Sequence, residues 1–494
     1  MIADCSIKHL LLACGLVWLQ LTPPAGGSPE QESIESRLAQ VSVTYQSPDP
    51  FRPWQSDAPG VRRGYAIRVD GSLYITTESL VRNHTLVEMR AARTGLRLPA
   101  DVLMSDEQVN LALLSTGGAA TNPPSCTVAD AVGRKDTVAI LQFDETGELQ
   151  RGAGKVLQIS FEELPAAPYA SLVFSLLTDL NVNGEGAPVV RGNSLAGLIM
   201  SYDPSSRTGK MIPYPILRRF LHDATSPPYR GVAVAGFTSK ELVDPAQRAY
   251  LGVGNLSGGI LVLSCIPGTG AEDVLRPLDV VLKWDGYEVD NMGYYDDPDF
   301  GRLRSAYLTH GRREVGDTVA VRIVRDGSEQ TVNLTLTSYS DESALIPENA
   351  AERRPEYLIE GGMLLRELDG AYLRAHGANW MNQLDQRLVS LYLTRRQIPQ
   401  NEGQRVVILA GVLPHPINVG YQHFHNHAVT HVNGRPVNNM ADVFRIVSKD
   451  GHLYTLTLQS IGVDLVLDRS SLAQANKRLA EIYRIPRLRY QRGK

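Results

Sequence analysis

The chain has 494 residues, too many for one hydrophobic core, and this length predicts about three domains. Hydrophobic residues make up 43% of it and charged residues 21%, which is ordinary for a globular protein. The net charge of −4 leaves no basic excess to neutralise phosphates, so the composition argues against nucleic acid as the main partner.

The N-terminus has the composition of an export signal. Lys8 precedes an apolar run over residues 10–21, and small residues ending at Gly27 offer a cleavage site. Residues 1–27 are therefore interpreted as a signal peptide, and the mature protein is expected in the periplasm or another extracytoplasmic space. A second interpretation takes Cys14 as the lipid-bearing residue of a lipoprotein box. No later segment is long and apolar enough to predict a transmembrane segment.

Residues 36–225 have the pattern of short strands joined by turns. The strongest local signal is Asp70-Gly71 between two alternating segments, which predicts a β-hairpin. Residues 213–221 are expected to form a closing helix. Many short strands at close spacing are typical of β-barrels.

Two further units follow along the chain. Residues 228–338 and 355–468 both place strands around a glycine-containing turn, and a polar linker separates them. Within the later unit, Met440–Val447 is predicted as a helix. Residues 469–494 are basic and are expected to form a C-terminal tail, with a short helix from Ser471 to Tyr483 followed by a loose end.

Three segments resemble, in the same order, those that carry serine-protease chemistry in the HtrA/Deg family. The segments are Ile75-Thr76-Thr77-Glu78-Ser79-Leu80-Val81, Asn110-Leu111-Ala112-Leu113-Leu114 and Leu180-Asn181-Val182-Asn183-Gly184-Glu185-Gly186-Ala187-Pro188. Ser79 stands at the position matched to the catalytic histidine, Asn110 at that of the aspartate and Glu185 at that of the serine. Ser-His-Asp catalysis needs a hydroxyl nucleophile, an imidazole base and an orienting carboxylate. The resemblance is therefore to a degenerate, non-proteolytic member.

Other motifs resemble the long plant-organelle branch of the same family. They are Phe51-Arg52-Pro53-Trp54-Gln55, Ile417-Asn418-Val419-Gly420-Tyr421, His431-Val432-Asn433-Gly434 and Tyr483-Arg484-Ile485-Pro486. This resemblance implies a mainly β fold, with a chymotrypsin-like double β-barrel in residues 36–225. It also implies two PDZ-like domains, one in residues 228–338 and one in 355–468.

Two alternatives bear on the catalytic positions. Ser194, in a Gly-Asn-Ser string, could be a displaced nucleophile, but the flanking pattern places it on a hairpin, and His84 lies five residues beyond the family histidine. Glu185 could itself occupy the oxyanion hole by accepting from backbone N–H groups, or it could be a solvated acid without such a role. Asn183 stands where the family has glycine, which puts the geometry of that loop in doubt.

Tyr250-Leu251-Gly252-Val253 resembles the loop with which a PDZ domain captures a peptide carboxylate on backbone N–H groups. Arg248, just upstream, is expected to strengthen anion binding. The helix beside this peptide site is expected over residues 300–308. The later unit has no clear equivalent and is interpreted as a docking or structural module.

Histidines crowd one segment, but they are not interpreted as a metal site. They are His415, His423, His425, His427 and His431. No carboxylate or cysteine is interleaved with them to complete a ligand set. Cys126 and Cys265 lie in different predicted domains and do not indicate a disulfide framework. No metal and no cofactor are predicted.

The sequence thus predicts an exported pseudoprotease whose partners are unfolded or C-terminal peptide segments of other proteins, together with an active protease of the same family as a regulatory partner. By the family resemblance a homotrimer is expected, with Tyr45, Phe51 and Trp54 as the oligomer contacts, since large aromatic residues dominate many interfaces. The alternatives are an active serine endopeptidase with a displaced nucleophile and a purely structural envelope protein.

Overall fold

The fold is taken from a computed structural model. It describes residues 33–492 except for gaps at 92–96, 118–125, 165–166, 341, 343, 349–353, 396–400, 402, 449–450 and 460–463. The expected signal peptide, residues 1–27, and the lipid-anchor candidate Cys14 lie outside the described residues. Within the described part of the chain, every helix is too short or too polar to cross a membrane.

The first unit is a closed barrel of six strands in the order β1-β2-β3-β6-β5-β4. The strands are β1 Leu38–Tyr45, β2 Gly60–Asp70, β3 Leu73–Thr76, β4 His84–Ala91, β5 Arg97–Asp106 and β6 Leu111–Ser115. The short helix α1, Glu78–Val81, joins β3 to β4. The hairpin predicted at Asp70-Gly71 is the β2–β3 connection. Alternating apolar residues of these strands fill the barrel interior.

A second closed barrel follows, in the order β10-β11-β12-β9-β8-β7. Its strands are β7 Thr137–Phe143, β8 Leu149–Leu164, β9 Ala167–Thr178, β10 Pro188–Arg191, β11 Ser194–Asp203 and β12 Thr208–Pro213. Helix α2, Tyr214–Ala224, closes the barrel and buries Leu217 and Phe220 against it. The mainly β fold with a chymotrypsin-like double barrel, expected from the sequence, is confirmed.

The middle unit, residues 233–338, has a sheet in the order β14-β15-β16-β20-β21. Its strands are β13 Ala233–Val234, β14 Phe237–Glu241, β15 Ile260–Cys265, β16 Val280–Trp284, β17 Tyr287–Glu288, β18 Tyr294–Asp297, β19 Gly301–Arg304, β20 Thr318–Arg325, β21 Ser328–Thr335 and β22 Thr337–Ser338. Its helices are α3 Pro245–Tyr250 and α4 Tyr307–His310. Strand β14 is the end strand of this sheet, so one of its edges is open.

The last unit, residues 357–490, repeats this strand order as β24-β25-β26-β28-β29 and adds two strands next to β24. Its strands are β23 Tyr357–Glu360, β24 Met363–Glu367, β25 Val407–Val412, β26 His427–Val432, β27 Arg435–Pro436, β28 Leu453–Leu458, β29 Asp464–Asp468 and β30 Arg489–Tyr490. Its helices are α5 Gly370–Arg374, α6 Trp380–Gln383, α7 Gln386–Leu393, α8 Met440–Val447 and α9 Leu472–Ile482.

The C-terminal segment belongs to this last unit. Strand β30 pairs with β23, with Tyr490 opposite Tyr357. Helix α9 packs Leu472 into the core of the unit. The helix expected from Ser471 to Tyr483 is observed as α9, whereas the residues after it pair with β23 instead of forming a loose tail, because only tertiary pairing defines the two-residue strand β30.

The three aromatic residues assigned to oligomer contacts make contacts inside the chain. Trp54 is 6% exposed and packs edge-to-face on Tyr357 of the last unit, with ring centroids 6.2 Å apart. Phe51 packs in the same way on Tyr372, although it stays 41% exposed. Tyr45 lies beneath the guanidinium of Arg62, 3.7 Å from the ring centroid. The assignment of Trp54 as an oligomer contact was wrong, since the last unit already covers its indole.

A second contact joins the first barrel to the two segments that flank the middle unit. The Tyr229 hydroxyl donates to the carboxylate of Asp106, and Gln108 donates its side-chain amide to the carbonyl of Tyr339 at 2.9 Å. Burial raises the pKa of the Asp106 carboxyl, although the bond from Tyr229 opposes the effect. The turn before the Asn110 position is therefore fixed against the start and the end of the middle unit.

Candidate functional site

The three positions matched to the catalytic triad meet in the cleft between the two barrels. Ser79 on α1 donates its hydroxyl to the carboxylate of Glu185 at 2.5 Å. The side-chain oxygen of Asn110 accepts from the backbone N–H of Ser79 at 2.8 Å. Asn110 is 1% exposed and has a left-handed φ of 54°, which asparagine tolerates better than most residues. The fold therefore still builds the site, with other side chains in it.

The side chains at the three matched positions are not those of a Ser-His-Asp triad. A serine hydroxyl becomes a strong nucleophile when an imidazole takes its proton. The nearest histidine of the first barrel, His84, begins β4, and its Nδ1 lies 2.9 Å from the carbonyl of Val81. Among the described residues, the hydroxyl of Ser79 has only the Glu185 carboxylate as its partner. Within the described residues, the cleft holds the Ser79–Glu185 hydrogen-bonded pair and no histidine bonded to a serine hydroxyl.

The hypothesis that Glu185 fills an oxyanion hole was wrong in its choice of donors. Its carboxylate accepts from two hydroxyls, Ser79 at 2.5 Å and Thr77 at 3.4 Å, and from no backbone N–H in the described part of the chain. Its own carbonyl accepts from the backbone N–H of Tyr65 at 2.8 Å. The first barrel thus holds the Glu185 segment in place from both its side chain and its backbone.

The loop before Glu185 is held by Asn183. The Asn183 side chain accepts from the Tyr65 hydroxyl at 2.7 Å and donates to the carbonyl of Phe143 at 2.8 Å. Burial raises the pKa of Tyr65, although its bonds to Phe143 and Asn183 act against this. Asparagine therefore does in this loop what glycine cannot, because it bridges the two barrels through its side chain.

Ser194 lies at the start of β11, opposite Arg191 in the β10–β11 hairpin. The neighbouring Asn193 side chain accepts from the backbone N–H of Ile34 at 2.8 Å. The hairpin position expected for Ser194 from the flanking pattern is the one observed.

The predicted carboxylate loop, Tyr250 to Val253, ends helix α3, and its N–H groups at 251–253 bond to carbonyls of that helix. Val253 is fully buried, whereas Tyr250 is 84% exposed at the end of α3. A Cβ on Gly252 would lie 3.0 Å from the Cα of Gly327, so this glycine permits a close approach of two backbone turns. The prediction that these residues capture a carboxylate was wrong, because the same string also ends a helix.

Arg248 has a structural task in the same loop. It is 9% exposed, and its guanidinium donates to four backbone carbonyls of its own unit. The acceptors are Leu242 at 3.1 Å, Val253 at 3.1 Å, Leu256 and Gly258 at 2.9 Å. The expectation that Arg248 strengthens anion binding was wrong, since these carbonyls already use its donors.

A groove with peptide-binding geometry lies elsewhere in the middle unit. It encloses a cavity of about 250 Å³, here called the groove cavity, between the open edge of β14 and the start of α4. Its lining includes Val234, Ala235, Gly236, Phe237, Trp284, Ser305, Ala306, Thr309, His310 and Tyr339. The helix expected over residues 300–308 is the four-residue α4, preceded by strand β19.

The turn that leads into β14 offers free backbone donors. In the described part of the chain, the N–H groups of Ala235 and Gly236 have no acceptor. The bond from the Ile266 N–H to the Gly236 carbonyl makes Phe237 and Cys265 a non-hydrogen-bonded pair, so the Phe237 N–H points to the open edge. Backbone N–H groups without an acceptor beside an unpaired strand edge are the features that peptide carboxylate capture and strand addition use.

The last unit has closed the corresponding edge. Strand β24 occupies the place of β14, but β23 folds back through Gly361 and Gly362 and pairs with it. Both glycines have positive φ, 57° and 88°, which the tight turn requires. In the middle unit the preceding strand β13 pairs with β22 instead. Only the middle unit therefore presents this edge unpaired among the described strands.

The clustered histidines do not share one strand face. His427 and His431 lie on β26, whereas His423 stacks on Phe424 in the turn before it, with ring centroids 4.1 Å apart. Burial lowers the pKa of His427. The described residues contain no group of histidine, cysteine and carboxylate side chains with metal-binding geometry.

Two closed six-stranded barrels with the three triad-matched positions in the cleft between them, followed by two further units with the same strand order, form the arrangement that the resemblance to HtrA/Deg proteases implies. Comparison with known proteins agrees with this class. The family model described as a PDZ domain matches residues 346–491. That range includes β23 and β30.

Several relatives carry the names of mitochondrial or chloroplastic proteases. The chain is 23% identical over 463 residues to the putative protease Do-like 3, mitochondrial, of Arabidopsis thaliana, covering 91% of this chain and 78% of that protein. It is 23% identical over 475 residues to the protease Do-like 2, chloroplastic, of the same plant, covering 94% and 76%. A solved HtrA-type protease, AlgWS227A with decapeptide, is 18% identical, covers 62% of this chain and 95% of that chain, and has a TM-score of 0.49. The chain is thus a homologue, at low identity, of the HtrA/Deg proteases.

The sequence contained a signal for the groove that was overlooked. Val234-Ala235-Gly236-Phe237 fits the same apolar-glycine-apolar pattern as the predicted loop. Asp244 followed by Pro245 is a strong helix start, and Asp244 does accept from the N–H of Gln247 at 2.7 Å. A helix that begins at Pro245 has Tyr250–Val253 at its C-terminal end, which favours Val234–Phe237 as the carboxylate-binding loop.

Proposed function

We propose that this protein is a non-proteolytic HtrA/Deg homologue that captures the C-termini of other polypeptides in the groove of the middle unit. The observation that carries the peptide-binding part is the unpaired edge of β14, with the free N–H groups of Ala235 and Gly236 above the groove cavity. The peptide would add as a strand to β14 and place its last side chain in that cavity.

The loss of proteolysis is inferred from the cleft. With Ser79, Asn110 and Glu185 at the triad positions, a bound segment would meet a hydrogen-bonded pair and no activated nucleophile. The cleft would then hold polypeptide without cutting it. Such a protein could chaperone its clients, or it could present them to an active protease of the same family.

The last unit is proposed as a docking module within the chain. Strand β23 pairs with the edge strand β24 of this unit, and Trp54 and Phe51 from the β1–β2 connection pack against it. Capture of peptide ends would therefore rest on the middle unit alone. The export to an extracytoplasmic space, inferred from residues 1–27, and the homotrimer remain parts of this proposal.

A matched pair of variants tests the peptide site. Ala306 is exposed at the start of α4 and lines the groove cavity, whereas Ala249 is exposed beside the Tyr250–Val253 loop. Ala306→Phe should fill the cavity and weaken the binding of free-acid peptides at least about tenfold, or about 1.4 kcal/mol. Ala249→Phe should leave it unchanged.

Isothermal titration with peptides ending in Val, Phe and Tyr, each as free acid and as amide, gives the readout. Amidation removes the charge that the N–H groups would bind, so amides should bind the wild type weakly. Equal binding of acids and amides would rule out carboxylate capture. A loss of binding in Ala249→Phe but not in Ala306→Phe would show that the peptide binds at the Tyr250–Val253 loop instead.

The alternative, an active serine peptidase with a displaced nucleophile, predicts that Ser194→Ala abolishes hydrolysis of an unfolded substrate. The proposal predicts that the wild type and Ser194→Ala are equally inactive.

A further inference from the structure

A small basic cavity opens on the outer face of the first barrel. It encloses about 130 Å³ and is here called the arginine pocket. Its polar lining comes from four neighbouring strands: Gln40 and Ser42 of β1, Arg63 of β2, Glu88 and Arg90 of β4, and Arg97 of β5. Three arginines and one glutamate give this pocket a formal net charge of +2. Such an excess of positive charge suits an anion.

Strand alternation turns these side chains away from the barrel interior. Val41 and Val43 of β1 belong to the apolar core of the first barrel. Gln40 and Ser42 alternate with them and therefore face outward. Arg63 is paired with Ser42 in the register of β1 and β2, so it shares this outward face.

Two of the arginines oppose each other directly. Arg90 of β4 and Arg97 of β5 are cross-strand partners in an antiparallel pair, and both are exposed. Like charges directly opposite each other destabilise a sheet. An anion held between the two guanidinium groups would turn this repulsion into two attractive contacts.

The polar side chains of the arginine pocket are not used by the protein itself. In the described part of the chain, none of the six makes a hydrogen bond or an ion pair, not even Glu88 with the arginines beside it. A guanidinium presents its N–H donors in a planar fork that matches phosphate oxygens. The Ser42 hydroxyl and the Gln40 amide add neutral donors.

We propose that the arginine pocket binds a phosphate group with two negative charges, bridged by Arg90 and Arg97 and contacted by Arg63. A dianion matches the net charge of the pocket, whereas one carboxylate would leave half of that charge unbalanced. The phosphate group can belong to a soluble phosphomonoester or to the head group of a phosphomonoester lipid. This site goes beyond the peptide capture proposed above.

Two probes distinguish the sources. Inorganic phosphate is titrated against the purified protein and followed by ³¹P NMR line width. Vesicles of phosphatidylcholine, with and without phosphatidic acid, are tested by co-sedimentation. The double variant Arg90→Gln/Arg97→Gln should lower the affinity for phosphate at least about tenfold, because hydrogen bonds to charged groups are lost.

Arg387→Gln is the matched control. The Arg387 side chain is exposed on α7 and also has no partner among the described residues, but it lies outside the arginine pocket. Its replacement removes one positive charge from the protein and should change the affinity for phosphate less than about twofold.

A further variant tests the pocket through a gain of affinity. Glu88→Gln removes the one negative charge among the lining residues, so phosphate should bind about two- to fivefold more tightly. Misfolding would not strengthen binding, so this result does not depend on the stability of the double variant. Unchanged or weaker binding in Glu88→Gln would overturn the placement of the phosphate beside this carboxylate.

The remaining outcomes are equally decisive. Phosphate binding that the double variant loses supports the site with a soluble ligand, and binding only of vesicles with phosphatidic acid supports it with a lipid head group. If neither probe binds at up to about 10 mM phosphate, or if the double variant binds as the wild type does, the proposal is overturned. Peptide capture is tested separately, because the groove cavity and the arginine pocket share no residue.

Discussion

Removal of the Arg248 guanidinium separates the structural role of this residue from an anion-binding one. Arg248→Met keeps most of the side-chain length but deletes the donors to four backbone carbonyls. Two of these bonds, to Leu242 and Val253, are fully buried. Since a buried bond to a charged group contributes at least about 1.5 kcal/mol, the variant should lose about 3 kcal/mol or more from the middle unit.

The assay combines urea unfolding with hydrogen exchange of the amides in residues 251–259. These amides should lose protection in Arg248→Met, because their loop is no longer held. Peptide affinity should change less than about twofold, which is below 0.5 kcal/mol, since residues 242–258 contribute nothing to the lining of the groove cavity.

Arg322→Met is the matched control. Its guanidinium is 44% exposed and pairs with Glu329 at 3.2 Å, so its loss should cost at most about 1 kcal/mol. A tenfold loss of peptide affinity in Arg248→Met, with the exchange of the loop unchanged, would refute this account and restore Arg248 as an anion-binding residue.

Two further predictions concern buried contacts. Trp54→Ala should lower the free energy of unfolding of the last unit by about 3 to 5 kcal/mol, while light scattering shows an unchanged assembly mass. Phe51→Ala removes a half-exposed ring and should lower the free energy of unfolding by less. Dissociation of the assembly in Trp54→Ala without a loss of stability would contradict the buried contact. Asp297→Asn should destabilise the middle unit by about 3 kcal/mol at pH 7 because Asp297 is buried and accepts two bonds from Arg312 at 2.7 Å. Burial tends to raise the pKa of Asp297, but the bonds from Arg312 hold this pKa below its usual range. The stability that Asp297 contributes is therefore present above about pH 4 and is lost as the pH falls. A loss of stability in Asp297→Asn that stays constant in urea titrations down to about pH 2.5 would contradict the ion pair.

Local patterns predicted the elements that local chemistry determines. The hairpin at Asp70-Gly71 is observed, and helix α8 has the predicted bounds, Met440–Val447. Its N-cap, Asn439, accepts from the N–H of Asp442 at 3.0 Å, and its apolar face packs Val443 and Phe444 into the core. Such elements carry their start signal and their periodicity within about ten residues, so one sequence is enough to find them.

The errors arose where distant residues decide the outcome. The Tyr250–Val253 string is as good a carboxylate loop as Val234–Phe237 until β13 is known to pair with β22 and leave β14 open. The closure of the last unit depends on β23 folding back, and the place of Trp54 depends on Tyr357, some 300 residues along the chain. Register and domain contacts of this kind have no local signature.

The triad positions could be predicted in part from the sequence: their location could, and their hydrogen bonds could not. Family resemblance placed Ser79, Asn110 and Glu185 in one site, and the structure brings them together. The partners of Glu185 could not be predicted, because the choice between backbone N–H groups and the hydroxyls of Ser79 and Thr77 rests on sub-ångström geometry of the cleft.

The most direct test of the central claim is exposure of the purified, full-length protein to a fluorophosphonate probe, followed by intact mass spectrometry and a casein-degradation assay, with trypsin as the positive control. The account predicts no adduct and no casein fragments, because no imidazole activates a serine in the described cleft. A covalent adduct on any serine of residues 36–225, Ser79 and Ser194 included, would contradict it.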